Sequence, residues 1–144
     1  MLEKLKKIIN TIIIILIIVS GIIIYSRNSY NKKDSVRALQ ENALTESHNC
    51  CAWYVMKALH NGKCYVPILA AADYKHILPL YGFYKVNNKN YKEGDVVVFP
   101  RIGRHKFGHI AMYDGNNWIS DFKQNKFYVS KDYVKTDYIV FRHK

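Results

Sequence analysis

The first feature of the chain is an unbroken run of apolar residues near its N-terminus. Residues 8–25, IINTIIIILIIVSGIIIY, contain no charged side chain. As a helix with a rise of 1.5 Å per residue, this run would extend about 27 Å, which is close to the hydrocarbon thickness of a bilayer. The pattern therefore predicts a membrane-spanning helix at 8–25, preceded by a basic flank at 1–7.

The pattern changes after residue 43, where apolar and polar residues alternate with a helical period. Residues 47–60 carry one apolar face, and Gly62 is typical of a helix end. That face consists of Ala52, Val55, Met56 and Leu59. A second helix is predicted over residues 70–82, with Pro79 in its last turn.

Beyond this second helix the period becomes that of β-strands. Short runs rich in β-branched and aromatic residues indicate strands, and turn formers in the middle of one run indicate a hairpin. The runs are 94–99, the hairpin 108–122, 127–129 and 138–142. Helices come first and an antiparallel sheet follows, so the predicted fold class is α+β.

These patterns divide the chain into an anchor, a tether and one domain. The polar residues 26–43 predict a tether that becomes helical near its end, and residues 44–144 predict a single domain large enough for one hydrophobic core. The apolar run is longer than a typical signal-peptide core and no A-x-A site follows it, which favours an uncleaved signal anchor. Lysine and arginine lie on both sides of the run, so charge alone leaves its orientation open.

The net charge of +11 narrows the range of partners. Residues 44–144 hold 15 basic against 8 acidic residues, so the predicted domain is itself basic. A basic surface favours an anionic partner, such as anionic lipid or an acidic cell-wall polymer. The basic residues are scattered and form no nucleic-acid motif, so nucleic acid is not a predicted partner.

Two adjacent cysteines at the start of the first domain helix are candidates for chemistry. Cys51 lies where the helix dipole favours a thiolate, although a cysteine at a helix start is also often simply packed. The sequence leaves open whether Cys50 and Cys64 form a disulfide. No C-x-x-C or H-E-x-x-H spacing occurs, so neither a metal site nor a cofactor is predicted.

A cysteine nucleophile also needs an imidazole. His109 is the favoured one, since it opens a strand directly after Gly108. If the hairpin loop is Asp114–Asn116, His109 lies opposite Asp121 on one face of the sheet, and Asp121 could orient the imidazole. A loop with an even number of residues would separate the two. The other five histidines are His48, His60, His76, His105 and His143.

Three motifs in order give the chain a family resemblance. CCAWYVMKAL, GDVVVFP and GHIAMYDGNNWISDF resemble the CHAP and NlpC/P60 group of papain-like cysteine peptidases. Within it, the chain is most similar to peptidoglycan amidases, including small amidase effectors that bacteria deliver into rivals. The resemblance implies a papain-like α+β domain in which helices pack on an antiparallel sheet. It selects Cys51 as nucleophile, His109 as base and Asp121 as the third polar residue.

The resemblance also implies a function. It implies a cysteine hydrolase that cleaves an amide bond of peptidoglycan through a thioester. Tyr54, Tyr113 and Trp118 are candidates for the substrate cleft, although each could equally be a core or surface aromatic. The implied partners are peptidoglycan and a cognate immunity protein, in addition to the membrane that the apolar run 8–25 predicts. A wall substrate favours a single-pass protein of the bacterial inner membrane with a periplasmic or extracellular domain.

Two other functions are compatible with the same residues. A papain-like acyltransferase or lipid hydrolase would also suit an anchored domain near the membrane. A non-catalytic anchored binding module could keep the fold without the chemistry. The bond that would be cut, and whose cell wall would contain it, are not predicted by the sequence.

Overall fold

The computed structural model describes all residues, Met1–Lys144, and has the α+β architecture predicted from the sequence. Helices pack on one face of a five-stranded antiparallel sheet with the order β1-β5-β2-β3-β4. The helices are α1 Leu2–Ser29, α2 Lys32–Asn42, α3 Cys51–Asn61 and the short α4 Tyr74–Ile77. The strands are β1 Phe83–Val86, β2 Val96–Phe99, β3 His109–Tyr113, β4 Trp118–Ile119 and β5 Ile139–His143. Turns of 3-10 helix occupy Ala71–Asp73, Leu78–Tyr81 and Lys131–Tyr133.

Helix α1 contains the apolar run and projects from the domain. It is long and apolar enough to cross a membrane by length and composition, and none of its most apolar window is buried in the protein. Only its last turns touch the domain, where Ser26 is buried and Ile23 packs against the core.

The segment predicted as a polar tether differs from the structure. Asn31 caps α2 by accepting hydrogen bonds from the backbone N–H groups of Lys33 and Asp34. Val36 and Leu39 then insert into the hydrophobic core against α3. Two apolar residues on one face suffice to bind an otherwise polar helix to the domain. The folded unit therefore includes α2 and is larger than residues 44–144.

The sheet carries hydrophobic residues on both faces. Alternate residues of β2 and β3 contact the helices on one side, among them Val96, Val98, Ile110 and Met112. The residues between them, including Val97, Phe99 and Ala111, contact an aromatic cluster on the other side. This alternation follows from the period of two along a strand. The sheet is therefore buried on both faces around β2 and β3.

A buried ion pair lies at the start of β2. Asp95 is fully buried, and its two carboxylate oxygens accept hydrogen bonds of 2.7 Å each from Arg142. Asp95 also accepts a hydrogen bond from the backbone N–H of Lys92 at 2.9 Å. The bidentate geometry links the turn before β2 to β5. Asp95 thus has a structural role.

The β3–β4 hairpin has a different register from the predicted one. Tyr113 pairs with Trp118 and Met112 pairs with Ile119, so the loop has four residues, 114–117. The Asp114 carboxylate accepts hydrogen bonds from the backbone N–H groups of Asn116 and Asn117 at 2.9 and 2.6 Å. These bonds close a four-residue loop, because an aspartate can hold a turn through its own side chain. The even loop length removes Asp121 from the position opposite His109.

Candidate active site

The start of α3 and the start of β3 meet at one cavity. The cavity has a volume of about 280 Å³ and brings Cys51 and His109 together, although they are 58 positions apart in the sequence. It is lined by Ser47, Asn49, Cys51 and residues 104–109. The two residues that the sequence favoured for thiol chemistry therefore share a single cleft.

Cys51 is the first residue of α3 and is half-buried. Burial raises the pKa of its thiol above the ordinary value, and the negative charge of Asp121 acts in the same direction. Hydrogen bonding from the backbone of Ile110 and Ala52 partly offsets this increase by favouring the thiolate. In the resting protein at neutral pH the sulfur therefore carries its proton, and a base is needed to remove it.

His109 is the first residue of β3 and is only 7% exposed. Burial lowers the pKa of its imidazole to about 4, with a smaller opposing effect from Asp121. The ring lies against the aromatic side of the sheet, with centroid distances of 6.1 Å to Phe99 and 6.4 Å to Tyr133. At neutral pH the imidazole is therefore uncharged and able to accept a proton.

Gly108 lets the chain bring His109 to the cavity edge. Its φ of +73° lies in the left-handed region that favours glycine. A Cβ atom there would lie 2.5 Å from the carbonyl oxygen of Phe99 and 2.7 Å from the Cβ of Ala72. The backbone before the imidazole therefore packs where no other side chain fits.

The polar side chain in contact with the ring of His109 is Gln124, which the sequence did not indicate. Its amide nitrogen lies 2.6 Å from Nε2 of His109 and 3.3 Å from Oγ of Ser120. The chain turns back after the two-residue strand β4, so that the Gln124 N–H donates to the carbonyl of Trp118 at 2.9 Å. The amide oxygen is buried and has no partner. Because this contact depends on the chain reversal, no local pattern could have identified it.

Asp121, predicted to orient His109, holds the approach to α3 instead. Its carboxylate accepts hydrogen bonds from the backbone N–H groups of His48 at 2.7 Å and Cys50 at 3.1 Å. The hydroxyl groups of Ser47 and Ser120 also donate to it. Burial raises the pKa of Asp121, but these hydrogen bonds outweigh burial and leave the pKa below its usual value. Asp121 therefore holds the backbone before Cys51 and makes no hydrogen bond to the imidazole.

Replacing Asp121 with asparagine should destabilise the domain by about 2 kcal/mol at pH 7, since hydrogen bonds to a buried charge are lost. The lowered pKa makes this stabilisation complete above about pH 4 and removes it as the pH falls through the folded-state value. Urea unfolding of Asp121→Asn and the unmodified protein at pH 7 and pH 2.5 measures the difference. A stability gap of the same size at both pH values would contradict the prediction.

Comparison with known proteins places the chain in a family. No protein-family model and no curated protein matches it. It is similar, however, to the crystal structure of the type VI native effector–immunity complex Tae3–Tai3 from Ralstonia pickettii. The two are 34% identical, with a TM-score of 0.74, over 80% of this chain and 100% of that chain. The chain belongs to the Tae3 family.

A second crystal structure, of the selenomethionine form of the Tae3–Tai3 complex from the same organism, gives a consistent result. It is 34% identical over 74% of this chain and 97% of that chain, with a TM-score of 0.69. Membership in the Tae3 family supports the predicted likeness to small effectors. The narrower relationship to CHAP and NlpC/P60 peptidases stays a prediction.

The three aromatics predicted for the substrate cleft do not line the cavity of this Tae3 family member. Tyr54 lies at a separate groove between α2 and α3. Tyr113 and Trp118 pack against each other with tilted rings at a centroid distance of 5.1 Å, in the cluster on the opposite face of the sheet. Their large apolar surfaces help to cover that second face, on which no α-helix packs.

The cavity of the Tae3 family member is instead bordered by a basic loop before β3. Arg104, His105 and Lys106 line the cavity together with Phe107, whose ring is largely exposed. Asp132 contacts Arg104 at 3.3 Å and His105 at 3.1 Å. Arg104 and Lys106 outnumber the one neighbouring carboxylate, so this edge of the cavity is positively charged.

Proposed function

We propose that the chain is a membrane-anchored cysteine peptidoglycan hydrolase, which cleaves an amide bond of cell-wall peptides. The observation that carries the proposal is the shared cavity of Cys51 and His109, with Gln124 in contact with the imidazole. Membership in the Tae3 family supports it, because Tae3 occurs in type VI effector–immunity complexes. The motif resemblance to papain-like amidases supplies the substrate class.

In the proposed reaction, the uncharged imidazole of His109 removes the proton from the Cys51 thiol as the substrate enters. The resulting thiolate attacks the amide carbonyl carbon, and a tetrahedral oxyanion forms. The imidazolium returns its proton to the amide nitrogen, the C–N bond breaks and a thioester remains on Cys51. Water, deprotonated by His109, then attacks the thioester carbonyl, which releases the acid and restores the thiol.

Two sets of polar groups support this reaction. The amide of Gln124 can turn by 180°, which directs its unpartnered oxygen to Nε2 of His109. In that orientation the amide oxygen accepts the Nε2 proton and leaves Nδ1 free to act as base. Backbone N–H groups at the start of α3, including that of Cys51, are suited to binding the oxyanion.

The positive edge of the cavity suits the proposed substrate. Stem peptides of peptidoglycan carry free carboxylates, and Arg104 and Lys106 lie at the cavity beside Cys51. Arginine binds carboxylates in a bidentate manner, and lysine binds them as a point charge. We assign these two residues to substrate binding in place of Tyr54, Tyr113 and Trp118.

The anchor and the partners complete the proposal. Residues 8–25 would cross the inner membrane, with the domain on the side of the cell wall. An immunity protein would bind this chain, as the effector–immunity complex of the R. pickettii relative suggests. Such a partner would protect a cell that shares the susceptible wall.

Digestion of purified sacculi by the full chain in mild detergent tests the function. The expected result is soluble muropeptides whose masses identify one cleaved amide bond by mass spectrometry. Release of fatty acids from phospholipid without muropeptides would favour the lipid hydrolase instead. Binding to sacculi with neither product would favour a non-catalytic module, and both outcomes would overturn the proposal.

A further inference from the structure

The end of the apolar helix α1 is part of the folded domain. Ser26 is fully buried and its hydroxyl accepts a hydrogen bond of 3.0 Å from the backbone N–H of Tyr65. The rings of Tyr25 and Tyr65 stack at a centroid distance of 6.2 Å. The same end of α1 contacts the turn Leu78–Tyr81. The helix therefore joins the domain through packed contacts and not through a flexible linker.

The chain stays in contact with the domain directly after α1. The ring of Tyr30 lies 5.4 Å from Phe83 and 4.7 Å from His143. The backbone N–H of Asn31 donates to the carbonyl of Gly62 at 2.8 Å. A linker that is held on both sides leaves the domain little freedom to rotate about the helix.

Helix α3 connects this end of the domain to the cavity. It begins with Cys51, and it ends at Asn61, immediately before the segment that contacts Asn31 and Ser26. The ten steps from Cys51 to Asn61 correspond to about 15 Å along the helix axis. The cavity and the exit of α1 therefore lie at opposite ends of α3.

The surface around the exit of α1, here called the exit surface, combines apolar and basic side chains. Tyr25, Tyr65 and Leu80 are 49%, 43% and 50% exposed. Lys32, Lys33 and Lys144 are exposed and line a shallow cavity next to Tyr30 and His143. Amphipathic aromatics with flanking lysines are the composition that favours a membrane interface with anionic lipid.

We propose that the exit surface rests on the bilayer, with its lysines on the anionic headgroups of phospholipids. The inference rests on the proposed membrane anchor and extends it, because it gives the domain a fixed orientation. Tyr65 and Leu80 enter the interface beside α1, and the lysines at the start of α2 face the headgroups. The cavity then points away from the lipid, at the far end of α3.

Tryptophan quenching in proteoliposomes of the full chain tests this orientation. Leu80→Trp reports on the exit surface, and Val134→Trp is the matched control near the cavity. Val134 is 53% exposed and follows Tyr133, whose ring is 4.8 Å from the cavity residue His105. In bilayers with phosphatidylglycerol and lipid spin-labelled near the headgroup, Leu80→Trp should be quenched at least about twofold more than Val134→Trp, both corrected for the native tryptophans.

Charge reversal provides the second measurement. Lys32→Glu with Lys33→Glu should reduce the quenching of Leu80→Trp in anionic bilayers and leave it unchanged in purely zwitterionic ones. Equal quenching of the two tryptophans in anionic bilayers would overturn the inference. Cleavage of soluble muropeptides by the unmodified protein and the same variants is measured separately in detergent. Retained cleavage with failed quenching rejects the orientation alone, whereas absence of cleavage by the unmodified protein rejects the hydrolase.

Discussion

Cys51→Ala is expected to abolish the release of muropeptides, with a loss on the order of 10⁴-fold or more, because the proposed reaction has no other nucleophile. Cys50→Ala is the matched control. Cys50 is the neighbouring residue, is exposed, and directs its sulfur to the carbonyl of His48 at 3.3 Å. It should keep activity within about threefold of the unmodified protein, since it is not in contact with the cavity.

Initial rates on a soluble muropeptide, with chromatographic detection of products, provide the comparison. Circular dichroism and thermal unfolding of both variants establish that the fold is retained. Equal activity of Cys51→Ala and the unmodified protein would exclude the thioester route. A loss in Cys50→Ala as large as that in Cys51→Ala would assign the chemistry to the pair instead.

His109→Ala is expected to lower the rate by about 10³-fold near pH 7, the contribution typical of a positioned base. Because burial lowers the pKa of His109 to about 4, the base stays available through weakly acidic pH. The rate of the unmodified protein should therefore fall on the acid side only as the pH approaches about 4. Below that value the imidazole is protonated and cannot accept the thiol proton.

Gln124→Ala distinguishes a positioning role from simple packing. Removal of the amide admits water to the imidazole, so the pKa of His109 should rise toward its ordinary value and the acid limb should move to higher pH. Gln124→Asn, which keeps the amide but shortens the side chain, should shift the acid limb less than Gln124→Ala does. Rate profiles from pH 3.5 to 8 measure both effects. An unchanged acid limb in Gln124→Ala would show that Gln124 does not tune the base.

The main elements follow from the sequence because their patterns are local. The apolar run of α1, the apolar face of α3 and the β-branched run of β2 each carry enough hydrophobic signal to predict the element. The sequence predicts a tether at 26–43 because these residues are mostly polar, and only Val36 and Leu39 of helix α2 reach the core. The place of α2 in the domain depends on packing against α3, which its own composition does not indicate.

The surroundings of His109 were less predictable, for two physical reasons. The Asp114 carboxylate closes a four-residue loop, and this local choice shifts every cross-strand pair by one position. The chain then reverses after β4 and brings Gln124 to the imidazole, while Asp121 turns toward His48 and Cys50. Both effects depend on hydrogen bonds between segments that sequence spacing does not relate.

The three cysteines of this domain are all free thiols, and Cys64 lies buried in the core. Because no covalent crosslink holds the fold, the domain needs no oxidising compartment to mature. It can therefore reach its native state in the reducing cytoplasm as well as beyond it.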